Sequence, residues 1–180
     1  MTAISPIDTR LPEADVPSHK KSLVLLLAAI LTLAVGFGSI AGAVFGAWYT
    51  WNQAVAQDVV TPDDAAIPET PVRGPFTMWA QADIITHHQL DSTEGLYYSQ
   101  MERLVPDVDE NGEAIVDENG EAVMVPNEAR ASWLNATTLT TALSLGIVSY
   151  ALAAFAFVTG LSLVAVGFVF LHIRRKAVLL

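Results

Sequence analysis

Two long runs without a charged residue constrain this chain more than any other feature of its sequence. Residues 23–51 and 131–173 contain no Asp, Glu, Lys or Arg, and the runs are 29 and 43 residues long. About 20 consecutive apolar residues are enough to cross a bilayer as a helix. A chain of 180 residues has too small a soluble core to bury two such helices. The sequence therefore predicts a membrane protein, mainly α-helical, with two transmembrane helices.

A cleaved signal peptide is the alternative for the first run. Lys20 and Lys21 precede it, and Ala54-Val55-Ala56 has the small-x-small form of a cleavage site. The apolar part of a signal peptide, however, is only about 7–15 residues long. Because the run here is twice that length, an uncleaved signal anchor is the favoured interpretation.

The charges that flank the two runs predict the orientation of the chain. Two lysines precede the first run, and residues 174–176 (Arg-Arg-Lys) follow the second. The segment between the runs, 52–138, has sixteen acidic and three basic residues. Since basic flanks stay in the cytoplasm, we expect a two-pass protein of the plasma membrane with both termini cytoplasmic.

Five segments follow from this orientation. Residues 1–21 are expected to form a disordered cytoplasmic tail and 22–51 the first transmembrane helix. Residues 52–138 form an acidic extracytoplasmic domain, 139–173 the second transmembrane helix, and 174–180 a basic cytoplasmic tail.

The extracytoplasmic domain is predicted to be a helical insert that carries a small β-meander. Four prolines in 57–75 favour an irregular connection, because proline removes the amide donor that a helix needs. Apolar spacing predicts a helix over 76–90, and a shorter one is expected within 93–104. Asn127 is placed to cap a further helix, which we expect to run without interruption over 128–173.

The β-meander is predicted from an octapeptide repeat, VDENGEAI followed by VDENGEAV, over residues 108–123. Its Asn-Gly pairs, 111–112 and 119–120, are favoured in type I′ turns, which need positive φ at both central positions. Two such turns eight residues apart predict three short antiparallel strands. The six carboxylates of the repeat are expected to be hydrated at the turns, with a weak surface cation site or a catalytic acid cluster as the alternatives.

One histidine pair is the remaining candidate for chemistry. On a helix, His87 would share a face with Asp83 and Asp91, which is a spacing that can hold a metal or relay protons. Metal signatures such as H-E-x-x-H are absent from the sequence. We therefore predict a solvated helix surface, with no catalytic, cofactor or metal site. The acidic exterior also argues against a nucleic-acid partner.

Small residues recur at helical spacings in both apolar runs, every four residues in the first and every seven in the second. Such stripes let helix backbones approach closely in lipid, where packing drives association. We predict that they form a helix-packing interface, either between the two spans or with a partner. The predicted interface comprises Ala34, Gly38, Gly42 and Gly46 in the first run and Gly146, Ala153, Gly160 and Gly167 in the second.

Three short motifs carry a resemblance to a known group of proteins. They are QADII at 81–85, GLYYSQMER at 95–103 and NATTL at 135–139. Over most of residues 22–173, the chain resembles a family of small two-span membrane proteins of actinobacteria, within which the octapeptide repeat looks like an insertion. Members are often labelled aromatic ring-opening dioxygenases, but one histidine pair does not build that enzyme's iron site.

The size and the two spans also look like those of accessory subunits of the actinobacterial cytochrome bcc–aa3 respiratory supercomplex. The resemblance implies a non-catalytic accessory or assembly subunit without a cofactor, with a role in electron transport. Its expected partners are the lipid bilayer and other membrane subunits, including those of the respiratory complex. The alternative is a metal-dependent membrane enzyme or sensor that uses the helix carrying His87 and His88.

Overall fold

The computed structural model describes the backbone of residues 18–179 and the side chains of residues 22–176. α-Helices account for 68% of the described residues. In chain order the elements are α1 (Ser18–Gln57), α2 (Pro75–Ser92), a 3-10 turn (Tyr98–Gln100), β1 (Leu104–Pro106), β2 (Met124–Pro126) and α3 (Glu128–Leu179).

The expected mainly helical fold with two long apolar helices is confirmed. Both α1, with 40 residues, and α3, with 52, contain a stretch long and apolar enough to cross a membrane. In the most apolar part of each helix only 11% of the residues are buried. The core helix of a soluble protein would be mostly buried, so these two helices present apolar side chains outward.

Parts of both predicted tails belong to helices. Residues 1–17 of the expected N-terminal tail lie outside the described residues, whereas 18–21 already belong to α1. The segment predicted as a separate basic tail, 174–180, instead continues α3 as far as residue 179. No proline or glycine interrupts the chain after Gly167, so nothing in the sequence ends the helix earlier.

The described residues divide into two compact units. The first consists of residues 18–42 and 156–179, and the second of residues 43–155. In the first unit, α1 and α3 pack antiparallel, since contacts pair Gly36 with Gly160 and Ser22 with Arg174.

The second unit is built around α2 and the first turns of α3. Pro75 occupies the first turn of α2, where its missing N–H costs nothing, and the Thr77 hydroxyl accepts a hydrogen bond from the Gly74 N–H at 3.2 Å. The helix predicted over 76–90 is confirmed. Met78, Ala80 and Ile84 are its buried residues.

Trp133 in α3 fixes the chain that follows α2. Its Nε1–H donates to the Leu96 carbonyl at 2.9 Å, and its ring stacks on Tyr97 with centroids 5.5 Å apart. α3 begins as predicted, because the Asn127 side-chain oxygen accepts from the Arg130 N–H at 3.1 Å. The uninterrupted helix expected from residue 128 is confirmed.

The short helix expected within 93–104 is reduced to one 3-10 turn. Glu94 and Gly95 both have positive φ, at 53° and 79°, which breaks any helix that begins there. Thr93 serves to end α2, since its hydroxyl donates to the Gln89 carbonyl at 2.8 Å. The Gly95 N–H donates to the Leu90 carbonyl at 2.8 Å, which closes the end of α2 with a glycine in the left-handed region.

The connection between α1 and α2 is irregular, as its prolines predict, and is organised around Thr61. This residue is only 2% exposed. Its hydroxyl donates to the Ile67 carbonyl at 2.5 Å and accepts from the Thr70 N–H at 2.9 Å. One buried hydroxyl therefore supplies the partners that regular structure would otherwise provide.

The predicted three-stranded meander is wrong. The sheet has two strands, with Leu104 opposite Pro126 and Val105 opposite Val125. Between them, each octapeptide forms a hairpin tip with a single bridging pair, Val108 with Ala114 in the first copy and Val116 with Ala122 in the second.

A ring of three backbone hydrogen bonds replaces the missing ladder. The Asp107 N–H donates to Val123 at 2.7 Å, the Val123 N–H to Ile115 at 2.8 Å, and the Ile115 N–H to Asp107 at 2.9 Å. These three residues are eight apart in sequence, the period of the repeat. The two tips and the β1–β2 stem thus meet at a three-way junction rather than lying side by side.

Candidate functional site

In the first unit, α1 and α3 come into backbone contact at Gly36 and Gly160. A Cβ added to Gly36 would lie 2.9 Å from the Gly160 carbonyl oxygen, and one added to Gly160 would lie 2.7 Å from the Gly36 carbonyl oxygen. Real Cβ atoms do not approach backbone this closely. The two helices can therefore meet here only because neither residue has a side chain.

The predicted stripe of α3 lies on helix-contacting surfaces. Gly167 packs against Leu33, whose Cγ would be 2.6 Å from an added Cβ. In the second unit, Gly146 packs against the Met78 sulfur at the same distance, and Ala153 is half-buried. Gly146, Gly160 and Gly167 all occupy positions where a side chain would collide with a neighbour.

The predicted stripe of α1 does not lie in this contact. Ala34, Gly38 and Gly42 are exposed, and a Cβ added to Gly38, Gly42 or Gly46 would meet nothing within 4 Å. Among the described residues, these three glycines therefore do not contact α3. Their surface, here called the open glycine face and defined by Ala34, Gly38, Gly42 and Gly46, is left uncovered by the described part of the chain.

The residues of α1 that are buried instead are Ala29, Gly36 and Ala43. They recur every seven residues, the same period as the α3 stripe. A seven-residue period on two facing helices is typical of the left-handed crossing found in coiled coils and most membrane bundles. Sequence reasoning missed this set, although matching periods on the two runs would have identified it.

Aromatic side chains cluster on α1 at the end of the apolar run. The Phe45 ring lies 5.8 Å from Trp48 and 6.3 Å from Tyr49, measured between centroids. All three are more than half exposed. Exposed aromatic rings at the end of an apolar helix are typical of the headgroup layer of a bilayer.

One residue of the histidine pair makes a contact that the sequence does not predict. His88, rather than His87, has a partner, and its Nε2 lies 2.6 Å from Oδ2 of Asp64 in the connection. The hydrogen bond to His88 holds the pKa of Asp64 below its ordinary value. Both side chains are about half exposed, at 52% and 53%. This surface pair therefore contributes little to the free energy of unfolding.

Among residues 18–179, no group of three His, Cys, Asp or Glu side chains converges as metal ligands would. The set of His87, Asp83 and Asp91 is not brought together as a site. The two aspartates of the repeat accept hydrogen bonds within their own turns. Asp109 Oδ1 accepts from the N–H groups of Glu113 and Asn111, both at 2.9 Å, and Asp117 repeats the arrangement.

The repeat turns differ in type from the prediction. Gly112 and Gly120 have φ of +82°, but Asn111 and Asn119 are not among the described residues with positive φ. With Gly112 N–H donating to Asp109 at 3.0 Å, each tip is a type I turn followed by a glycine bulge rather than a type I′ turn. Asp109 and Asp117, the second residues of the two octapeptides, favour this form, because each carboxylate accepts hydrogen bonds from N–H groups of its own turn.

A groove of about 540 Å³ lies within the second unit, between the end of α1, the connection that follows it, α2 and residues 139–146 of α3. Gln81 of α2 lines it, and the side-chain oxygen of this residue is buried without a hydrogen-bond partner among the described residues. The sequence marks Gln81 only as part of the QADII motif and gives no sign of the groove, since its walls come from four separate segments.

No family model, curated protein or solved structure matches this chain. The resemblance to small actinobacterial membrane proteins therefore stays a prediction. Three features of the structure bear on function: the seam of α1 and α3 at Gly36 and Gly160, the open glycine face and the groove.

Proposed function

We propose that this protein is a two-span membrane protein and a non-catalytic accessory or assembly subunit of a larger plasma-membrane complex. The observation that carries the proposal is the open glycine face on α1. The protein's own helix pair is built on a different set of small residues, so this second face is available to another helix.

The outward surface of both helices supports placement in a bilayer. Large apolar side chains such as Leu31, Phe37, Leu152 and Phe155 are between 55% and 71% exposed. In water, each would lose the roughly 1.5–3 kcal/mol that burial of such a side chain contributes. Lipid removes this penalty, and the aromatic cluster around Trp48 then lies at the headgroup layer.

The open glycine face supports binding of a further helix. In lipid, two helices gain little from hiding apolar surface, because lipid tails are as apolar as leucine. Close backbone approach and good packing then decide which helices associate. A face with glycine at three positions offers such an approach, whereas a face of leucine and phenylalanine is equally well covered by lipid.

The orientation and the kind of complex are part of the same proposal. The basic residues beside both apolar runs favour cytoplasmic termini, and the acidic domain would then contact partners outside. The resemblance described above suggests the cytochrome bcc–aa3 respiratory supercomplex of actinobacteria as the complex, and electron transport as the process that the subunit serves.

Co-purification tests the proposal. The tagged full-length protein is extracted in mild detergent, and associated proteins are identified by mass spectrometry for wild type, Gly42→Leu and Val44→Leu. Gly42 belongs to the open glycine face, whereas Val44 is a 58% exposed control elsewhere on α1. We expect a defined set of membrane subunits with wild type and Val44→Leu, reduced at least tenfold with Gly42→Leu. An unchanged set with Gly42→Leu would contradict the proposal.

A further inference from the structure

The groove in the second unit has an uncharged and mainly apolar lining. Nine of its thirteen lining residues are apolar or glycine, and the remaining four are a threonine and three glutamines. A phosphate or carboxylate group is usually bound through arginine, lysine or several N–H groups. None of the lining residues is charged, so the groove suits an uncharged ligand. Its polar residues are Thr50, Gln53, Gln57 and Gln81.

Hydrogen bonds already made inside the protein show what such a ligand must supply. The Thr50 hydroxyl donates to the Gly46 carbonyl at 2.9 Å, and the Gln53 amide donates to the Tyr49 hydroxyl at 2.9 Å. The Thr50 oxygen therefore remains as an acceptor. The side-chain oxygen of Gln81 is a second acceptor, buried and unpaired among the described residues.

A hydroxyl group satisfies this site in either orientation of the Gln81 amide. With the Gln81 oxygen turned inward, this buried atom needs a donor, and leaving it unpaired costs about 1–3 kcal/mol. If the amide is turned over, the buried NH₂ needs an acceptor instead. A hydroxyl both donates and accepts, whereas a carbonyl or a quaternary ammonium group does only one or neither.

The position of the groove along the helices points to a membrane lipid as the source of that hydroxyl. On α1 its lining residues begin at Thr50, directly beside Trp48, Tyr49 and Trp51. On α3 they end at Gly146, one turn before Tyr150. Aromatic residues of this kind mark the headgroup layer. This step rests on the proposed function, because it takes α1 and α3 to cross a bilayer.

We infer that the groove binds the uncharged, hydroxyl-bearing headgroup of a membrane lipid, such as a glycosyl diacylglycerol. A headgroup hydroxyl pairs with Gln81, and the glycerol and first methylene groups lie against Met78, Ile85 and Leu139. The volume of about 540 Å³ is in the range of small-molecule sites, roughly 300–1,000 Å³. It holds a headgroup and the start of a chain, while the remaining acyl chain stays in the bilayer.

Lipid binding to the purified, detergent-solubilised full chain tests this inference by native mass spectrometry. The probes are dioleoyl galactosylglycerol and dioleoyl phosphatidylcholine, which have the same chains but differ in headgroup hydroxyls and charge. We expect the galactolipid to bind wild type at least tenfold more tightly than phosphatidylcholine. Gln81→Leu removes the unpaired acceptor at similar volume, and should bring the galactolipid down to the level of phosphatidylcholine.

A variant that fills the groove and a matched control variant complete the test. Ala142→Phe places a ring in the groove, whereas Ala151→Phe places the same ring at an exposed position of α3 away from it. Ala142→Phe should weaken galactolipid binding at least tenfold, and Ala151→Phe should leave it unchanged. Equal binding of the two lipids to wild type, or undiminished binding to Ala142→Phe, would overturn the inference.

Alkaline carbonate extraction of membranes separates this inference from the proposed function. If the wild-type protein stays in the membrane pellet while the two lipids bind alike, only the lipid site is wrong. If the protein is extracted into the supernatant, the membrane placement fails, and the lipid site fails with it.

Discussion

At Gly36 and Gly160, the absence of side chains allows two helix backbones to meet. Each glycine faces the carbonyl oxygen of the other, within 3 Å of where a Cβ would be. Backbone cannot yield as the end of a flexible side chain does. A methyl group at either position must therefore push the helices apart along this part of the seam.

We expect Gly36→Ala to destabilise the helix pair by about 1–3 kcal/mol, a typical cost of overpacking. Gly38→Ala is the matched control, because an added Cβ there meets nothing within 4 Å. Both changes raise helix propensity by the same amount, roughly 1 kcal/mol, so their difference isolates the contact. Reversible unfolding in mixed detergent micelles measures it, and equal stability of the two variants would show that Gly36 is not in the seam.

The contacts of α1 and α3 show which residues of the seam can be predicted from the sequence and which cannot. In the seven-residue stripe of α3, Gly160 and Gly167 contact α1, whereas Gly146 contacts Met78 of α2. The four-residue stripe of α1 has the more regular spacing, yet its glycines do not contact α3. Spacing identifies a face of one helix but does not state which face meets the neighbour, since that depends on rotation about the helix axis.

Asp109 and Asp117 stabilise the two repeat turns through their charged form. Hydrogen bonds from the N–H groups of Glu113 and Asn111 hold the pKa of Asp109 below its ordinary value of 3.8, and Asp117 has the same arrangement. Because the folded pKa is the lower one, this stabilisation is present above pH 3.8 and is lost as the pH falls through the folded pKa.

Hydrogen exchange of the turn amides provides the test. Protection of the Asn111 and Glu113 amides, corrected for intrinsic exchange, should fall as the pH decreases below about 3.8. In Asp109→Ala, protection should be lost in the first turn at every pH but retained in the second, which serves as an internal control. Retained protection in the first turn of this variant would contradict the capping role of Asp109.

At the scale of elements, the octapeptide repeat is a modular insertion into one hairpin. The sequence correctly predicts two turns at the two Asn-Gly pairs. It does not predict the three-way junction, because the ring of hydrogen bonds among Asp107, Ile115 and Val123 depends on three segments meeting in space. The Asp-Glu-Asn-Gly-Glu order also favours a self-capped type I turn, which an argument from Asn-Gly alone overlooks.

Removing one octapeptide should leave a continuous hairpin. In the variant lacking residues 116–123, Ile115 takes the place of Val123 opposite Asp107. The pairs Val108 with Ala114 and Pro106 with Met124 then follow in unbroken register. We expect this variant to fold with undiminished exchange protection of the β1 and β2 amides, because loops tolerate such length changes at small entropic cost.

A deletion shorter by one residue is the matched control. Removing residues 116–122 shifts the pairing by one residue, which turns the side chains of one strand to the opposite face. Protection of the β1 and β2 amides should then be lost. If both deletions behaved alike, the register deduced for the three-way junction would be wrong.

At the scale of the whole molecule, the proposal requires the acidic domain and the termini to lie on opposite sides of one membrane. The sequence has no cysteine, so single cysteines placed at Thr2 and Glu113 give unambiguous labels. In intact cells, an impermeant maleimide should label the cysteine at position 113 and not the one at position 2. Permeabilised cells, in which both should react, provide the control, and labelling of position 2 alone in intact cells would reverse the topology.

We propose that α1 binds a partner through the open glycine face, and site-specific photocrosslinking tests this contact. Benzoylphenylalanine replaces either Phe45 or Phe37, which are 62% and 55% exposed and already aromatic. At about 100° per residue, Phe45 lies within roughly 40° of the centre of that face, whereas Phe37 lies roughly 120° away.

After irradiation of intact membranes, we predict a discrete protein adduct from position 45 and only lipid adducts from position 37. Adding Gly42→Leu to the Phe45 variant should abolish the protein adduct, because the partner helix no longer approaches. The same protein adduct from both positions, or no protein adduct from position 45, would contradict the account.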